Sequence, residues 1–189
     1  MLIEMGARAV RVSVALVDQV RTADLARPTP CAGWTLRDLL AHMTAQHHGF
    51  AAASRGEEEL DVWQPRDLGE DPAGAYRAAA GHVLEAFAGA VVAEFPLPEL
   101  GVTVPAERAI SFHFIDYVVH AWDVARTLGV AVEFEADLLD AALPVAEAVP
   151  GGQVRTAPGA PFAPEVAWPG DGRLDRIVAM LGRSPAWPD

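Results

Sequence analysis

Between Pro105 and Gly129 no residue breaks a helix, and that one uninterrupted stretch limits the fold more than any other part of the chain. Proline suits the first turn of a helix and glycine the position just past its end, so residues 105–129 read as a single helix. At about 100° per residue, His113, Asp116, His120 and Asp123 fall within roughly 80° of one another, while Phe112, Phe114, Ile115, Val118, Val119, Trp122 and Val124 cover the rest of the surface. A helix so apolar on its other faces is mostly buried. Its narrow ionisable stripe then needs partners, because an isolated charge in a packed interior is costly unless paired, hydrogen-bonded or bound to a metal. Asp116 and His120 stand one turn apart, with Cβ atoms about 5–6 Å from each other, close enough for both side chains to reach one ion.

The other segments read as further helices. Residues 3–20 carry Val10, Val14 and Val17 on one face. Two prolines and a glycine make residues 27–34 a loop, after which Thr35, with Asp38 three residues on, caps a second helix running to about residue 53. Residues 54–71 are acidic and irregular and read as a surface connection. Asp71-Pro72 opens a third helix predicted to end near Phe95-Pro96, and a short crossing segment with strand character leads to Pro105. A fifth helix is expected over 135–149. A tail with Pro158, Pro161, Pro164 and Pro169 follows as an extended arm, and a last helix over 171–182. The expected fold is all-α, a four-helix bundle with an additional helix and an extended C-terminal tail. It is read as one domain over 1–189, with a bundle core at 1–150 and the arm and terminal helix at 151–189.

Composition narrows the partners. With 26 acidic against 14 basic residues the net charge is −12, which disfavours nucleic acid and anionic membrane surfaces. The single cysteine, Cys31, excludes an internal disulfide framework and a cysteine-rich metal site. No apolar run is long enough to span a membrane and the first residues do not read as a secretory signal, so a cytoplasmic protein is expected.

The candidate chemistry is a mononuclear metal site of His42, Asp116 and His120. Two imidazoles and one carboxylate leave a divalent ion with net positive charge and an open position, the ligand count of catalytic zinc. From spacing alone an ordinary alternative stays open: Asp116 and His120 as an i,i+4 pair on a solvated face, and His42 as a surface histidine near Asp38. Asp123 could accept a hydrogen bond from the distal nitrogen of His120 or pair at the surface with Arg126. His113 reads as an ordinary histidine with a site-facing role as the alternative, and His47 and His48 as helix-end residues, with His47, five residues from His42, able to assist the site if the helix loosens there. Cys31 reads as a packed loop residue, with nucleophile as the alternative and no adjacent histidine evident in the sequence, and Trp34 and Trp122 as core or pocket wall. The run Glu57 to Glu59 is a solvated turn.

Thr29-Pro30-Cys31-Ala32-Gly33-Trp34-Thr35-Leu36-Arg37-Asp38-Leu39-Leu40-Ala41-His42, followed some way on by Asp116-Tyr117-Val118-Val119-His120-Ala121-Trp122-Asp123, resembles the DinB-like superfamily of metal-binding four-helix bundles. Within it the likeness is to the actinobacterial group around mycothiol-dependent maleylpyruvate isomerase. Phe162-Ala163-Pro164-Glu165-Val166 and Leu181-Gly182-Arg183 extend the resemblance nearly to the C-terminus. The resemblance implies a divalent metal on His42, Asp116 and His120, zinc first with Ni2+, Mn2+ or Fe2+ as alternatives, and mycothiol as the thiol co-substrate. The isomerase has glutamate where Asp116 stands; the shorter carboxylate can still ligate, with a shifted ion or weaker binding as the expected consequence. The expected activity is that of a small-thiol-dependent transferase or isomerase acting on an electrophile. A non-catalytic metal-binding module, a hydrolase and a non-haem iron enzyme are the alternatives, and a homodimer stays open.

Overall fold

The computed structural model describes residues 1–157 and 159–189, so Pro158 of the tail lies outside the described residues. Among the described residues, six α-helices and one two-stranded hairpin follow in the order α1 (Leu2–Val17), α2 (Leu36–Ala53), α3 (Pro72–Ala88), β1 (Glu94–Leu97), β2 (Val102–Pro105), α4 (Ala106–Leu128), α5 (Ala136–Glu147) and α6 (Arg173–Met180). The architecture is the expected all-α bundle.

Local chemistry sets the ends of the elements that matter for the site. At the start of α2 the Thr35 hydroxyl accepts from the Asp38 amide and the Asp38 carboxylate accepts from the Thr35 amide, so two orphaned N–H groups are satisfied reciprocally. Helix α3 has Pro72 in its first turn, and the Asp71 side chain accepts from the Gly74 amide. Helix α4 spans the long uninterrupted stretch as expected. It ends at Gly129, whose left-handed φ of 73° lets its N–H reach back to the carbonyls of Ala125 and Arg126.

Helix α1 packs against α4 and α2 against α3, while α5 lies on α4, α1 and α6. One core joins Val10, Leu16 and Val17 of α1, Leu36, Leu39, Leu40 and Met43 of α2, Phe114, Ile115, Val118 and Val119 of α4, Leu138 of α5, Ile177 of α6 and Phe162 of the tail. A second cluster gathers Phe50, Trp63, Val83, Phe87, Phe95, Leu97 and Ile110.

Two expectations need correction. The third helix stops at Ala88, well before Phe95-Pro96, because Gly89 adopts extended backbone (φ −83°, ψ −164°). Phe95 and Pro96 instead sit in β1, where they oppose Val104 and Thr103 of β2 in an antiparallel ladder. The acidic connection at 54–71 is also not wholly a surface element. Its 3-10 turn Leu60–Trp63 buries Trp63 edge-on against Phe50, with ring centroids 5.0 Å apart. No helix among the described residues is long and apolar enough to cross a membrane.

Candidate metal centre

His42 comes from the second turn of α2, Asp116 and His120 from the middle of α4. The fold brings them together. One ligating atom from each lies within 4.8 Å of the other two. His120 Nε2 is 3.3 Å from Asp116 Oδ1, and the His42 and His120 rings meet edge to face at 5.2 Å. The trio sits at the edge of the interior: the Asp116 side chain keeps 19% of its surface, the His120 side chain only 4%.

Asp123 is fully buried, and its Oδ2 lies 2.9 Å from His120 Nδ1. Of the two sequence readings, the bond to His120 is therefore the one observed. Arg126 turns elsewhere, donating to the carbonyls of Pro185 and Trp187 and lying over the Trp122 ring at 5.6 Å. With Nδ1 paired to Asp123, Nε2 is the nitrogen turned toward Asp116 and His42.

Cys31 does more than pack in its loop. Residues 27–35 are folded back by hydrogen bonds from the Thr29 amide to the Trp34 carbonyl (3.0 Å) and from the Leu36 amide to the Arg27 carbonyl (2.9 Å). This puts Cys31 Sγ 3.2 Å from Asp123 Oδ2 and 3.4 Å from Arg183 Nη2. Sequence could not place that thiol near a histidine, because loop, α4 and tail meet only in the folded chain. Cys31, His120 and Asp123 thus form a second trio of ligating groups sharing His120. That trio does not fit a cation, because Asp123 Oδ2 already takes the His120, Cys31 and Arg183 contacts and the Arg183 guanidinium would repel a further positive charge.

Electrostatics favour the His42, Asp116 and His120 trio. Burial, and then repulsion from the His120 ring, lower His42 to about 4, so its imidazole is neutral near pH 7. Burial works to raise Asp116, but the His120 and His42 rings and Arg183 outweigh it and bring it to about 2, so it is anionic. These are the forms a divalent ion requires. Burial also disfavours the charged form of His120, yet Asp116 and the hydrogen bonds to Asp116 and Asp123 push it up. His120 therefore carries a proton that a cation at Nε2 would displace.

The remaining candidates separate by depth. His113 and His47 are buried together away from the trio, with His47 Nδ1 3.2 Å from His113 Nε2 and the His47 ring stacked on Tyr117 at 4.0 Å. His47 is thus an interior residue rather than a helix-end one. His48 lies beside His82 with ring centroids 5.8 Å apart. Trp34 is 37% exposed and tilts against the His42 ring at 4.9 Å, so it walls the opening, whereas Trp122 is buried. One turn beyond His42, Gln46 donates to Glu99 of the hairpin turn at 2.8 Å. Burial raises the Glu99 carboxyl, with Asp116 adding to it against the Gln46 bond. Nothing in the spacing of a lone glutamate between Pro98 and Leu100 signals that position.

Residues 7–125 match the sequence profile of the family described as "Mycothiol maleylpyruvate isomerase N-terminal domain". Two uncharacterized proteins from strains of Mycobacterium tuberculosis are each 35% identical over 179 residues, covering 90% of this chain and 91% of their own length. Among solved structures, the mycothiol-dependent maleylpyruvate isomerase shares the fold with a TM-score of 0.59 at 19% identity, over 78% of this chain and 67% of that one. A histidine-to-alanine mutant of that isomerase matches with a TM-score of 0.64 at 17% identity, over 87% and 72%.

Proposed function

The chain belongs to the mycothiol maleylpyruvate isomerase N-terminal domain family, and from that membership we propose that it holds one divalent cation, zinc first, on His42, Asp116 and His120 to present a small thiol to an electrophilic substrate. The observation that carries the reading is the donor trio, whose atoms lie within 4.8 Å of one another while Asp123 occupies the other nitrogen of His120. Mycothiol is the thiol proposed, because the family description and the solved relatives name it.

A bound divalent cation supplies Lewis acidity that favours thiolate over thiol at neutral pH. The protein groups do the rest. Two neutral imidazoles and one carboxylate contribute a single negative charge, so a divalent ion leaves one positive charge for a monoanionic ligand such as a thiolate. The partly exposed Asp116 and the Trp34 ring mark the side from which thiol and substrate would reach the trio. Glu99, held by Gln46 one turn from His42, offers a carboxyl that partial burial raises, so it keeps a proton more readily than an ordinary glutamate. With the cation bound, a thiolate at this site would be placed to add to an electrophilic carbon. Expulsion of a leaving group completes a transfer, and expulsion of the same sulfur after bond rotation completes an isomerisation.

Elemental analysis of protein purified without added metal, joined to an assay of zinc-loaded protein with mycothiol and 1-chloro-2,4-dinitrobenzene, tests this. Zinc at one per chain and thiol-dependent turnover are expected, with His42→Ala lowering both zinc affinity and turnover by about 100-fold or more. Iron with oxygen-dependent turnover, or conversion indifferent to His42, would overturn the proposal.

A further inference from the structure

Three segments remote in sequence converge on the carboxylate of Asp123. Its Oδ2 takes His120 Nδ1 at 2.9 Å, Cys31 Sγ at 3.2 Å and Arg183 Nη2 at 3.2 Å, and its Oδ1 faces Arg183 Nε at 3.4 Å. The guanidinium therefore spans both oxygens, and a two-point contact of this kind stops the carboxylate from rotating. Arg183 is itself immobilised. It is 7% exposed, its Nη1 donates to the Leu181 carbonyl at 2.9 Å, and its guanidinium lies over the Phe162 ring at 5.6 Å.

The chain delivers Arg183 by a specific turn. Gly182 has a φ of +83°, and a Cβ there would come within 2.6 Å of the Ala163 carbonyl oxygen, so only glycine lets α6 turn this tightly against the arm. The Arg183 amide then bonds back to the Val178 carbonyl at 2.9 Å. All of this lies beyond residue 125, where the family match ends.

We propose that Arg183 is a positioning residue for the cation site: it locks Asp123, and Asp123 locks the ring of His120 with Nε2 turned toward His42 and Asp116. Without that lock the Asp123 carboxylate is free to swing and the imidazole to flip, exchanging the nitrogen that faces the trio. The inference rests on the metal reading above, and it adds that the C-terminal tail is part of the site rather than only a strap on the bundle.

The test compares zinc affinity by competition with a chromogenic chelator, thermal stability, and the 15N shifts of the His120 imidazole in wild type, Arg183→Lys, the double variant Arg183→Met with Asp123→Asn, and His42→Ala. The double variant removes both buried charges together, so its melting point should return near that of wild type, while its zinc affinity falls about 10- to 100-fold. Arg183→Lys keeps the charge without the fork; it should fold, bind zinc about 10-fold more weakly, and lose the distinct Nδ1–H signature of His120. Affinity that simply follows melting temperature across the series, or wild-type affinity and His120 shifts in Arg183→Lys, would reduce Arg183 to a structural strap and overturn the inference. Undiminished zinc binding in His42→Ala would instead remove the trio reading, and this inference with it.

Discussion

At the scale of single residues, the pair His47 and His113 shows how burial sets protonation. His113 is lowered to about 3, by burial first and against the pull of Asp116, and His47 is lowered well below the ordinary histidine value by burial and by His113. Both rings are neutral in the folded protein, whereas in the unfolded chain they take up protons near pH 6.5. Below that pH the unfolded state binds more protons, so the stability each ring contributes is complete above about 6.5 and is lost as pH falls toward the folded value. Comparing metal-free wild type with His113→Phe by denaturant unfolding should show the difference in stability shifting in favour of the variant by up to about 1.4 kcal/mol per pH unit between pH 6.5 and 3. A pH-independent difference would mean that His113 is protonated in the folded state. The helical wheel placed His113 on the same stripe as Asp116 and His120, but a wheel has no height, and the ring lies one turn away among Phe50, Phe87 and Tyr117.

Among the elements, the register of α2 against the short turn after it is set by one glycine. A Cβ at Gly49 would come within 2.2 Å of the Trp63 ring. In an exposed helix interior, replacing glycine by alanine adds about 1 kcal/mol of stability. Here the sign reverses, because the indole is buried and cannot retreat: Gly49→Ala should destabilise by about 1–3 kcal/mol in urea unfolding, and a stabilised variant would show that Trp63 is not seated on α2. The same turn marks a limit of sequence reading. Residues 57–59 are three glutamates, and a polar run masks the single tryptophan a few positions later, whose burial depends on Phe50 and on the gap at Gly49. The hairpin was equally hard to see in full, since Phe95-Pro96 carries apolar character that suits either the end of a helix or a short strand, and only pairing with Val104 and Thr103 decides.

For the molecule as a whole, the question is whether tail and bundle unfold together. Phe162, Ile177 and Leu181 enter the same core as α1, α2 and α4, and Arg155 donates to the carbonyls of Pro150, Val149 and Met180, tying the ends of α5 and α6 to one guanidinium. A shared core of this kind predicts one cooperative transition for 1–189, with calorimetric and van't Hoff enthalpies equal; two separated transitions would make residues 151–189 an independent unit. Sequence alone determined the helices, because helix formation is decided over a few turns by periodicity, caps and breakers, and Pro105, Gly129, Thr35 and Pro72 are such signals. Spacing also put Asp116 and His120 one turn apart, and the residues nominated His42 beside them, a set that the resemblance then implied. The tertiary structure decided which nitrogen of His120 faces the trio, which way Asp123 turns, and that Cys31 and Arg183 meet there, since these depend on three segments separated by 92 and 60 residues and no local pattern encodes so distant a contact.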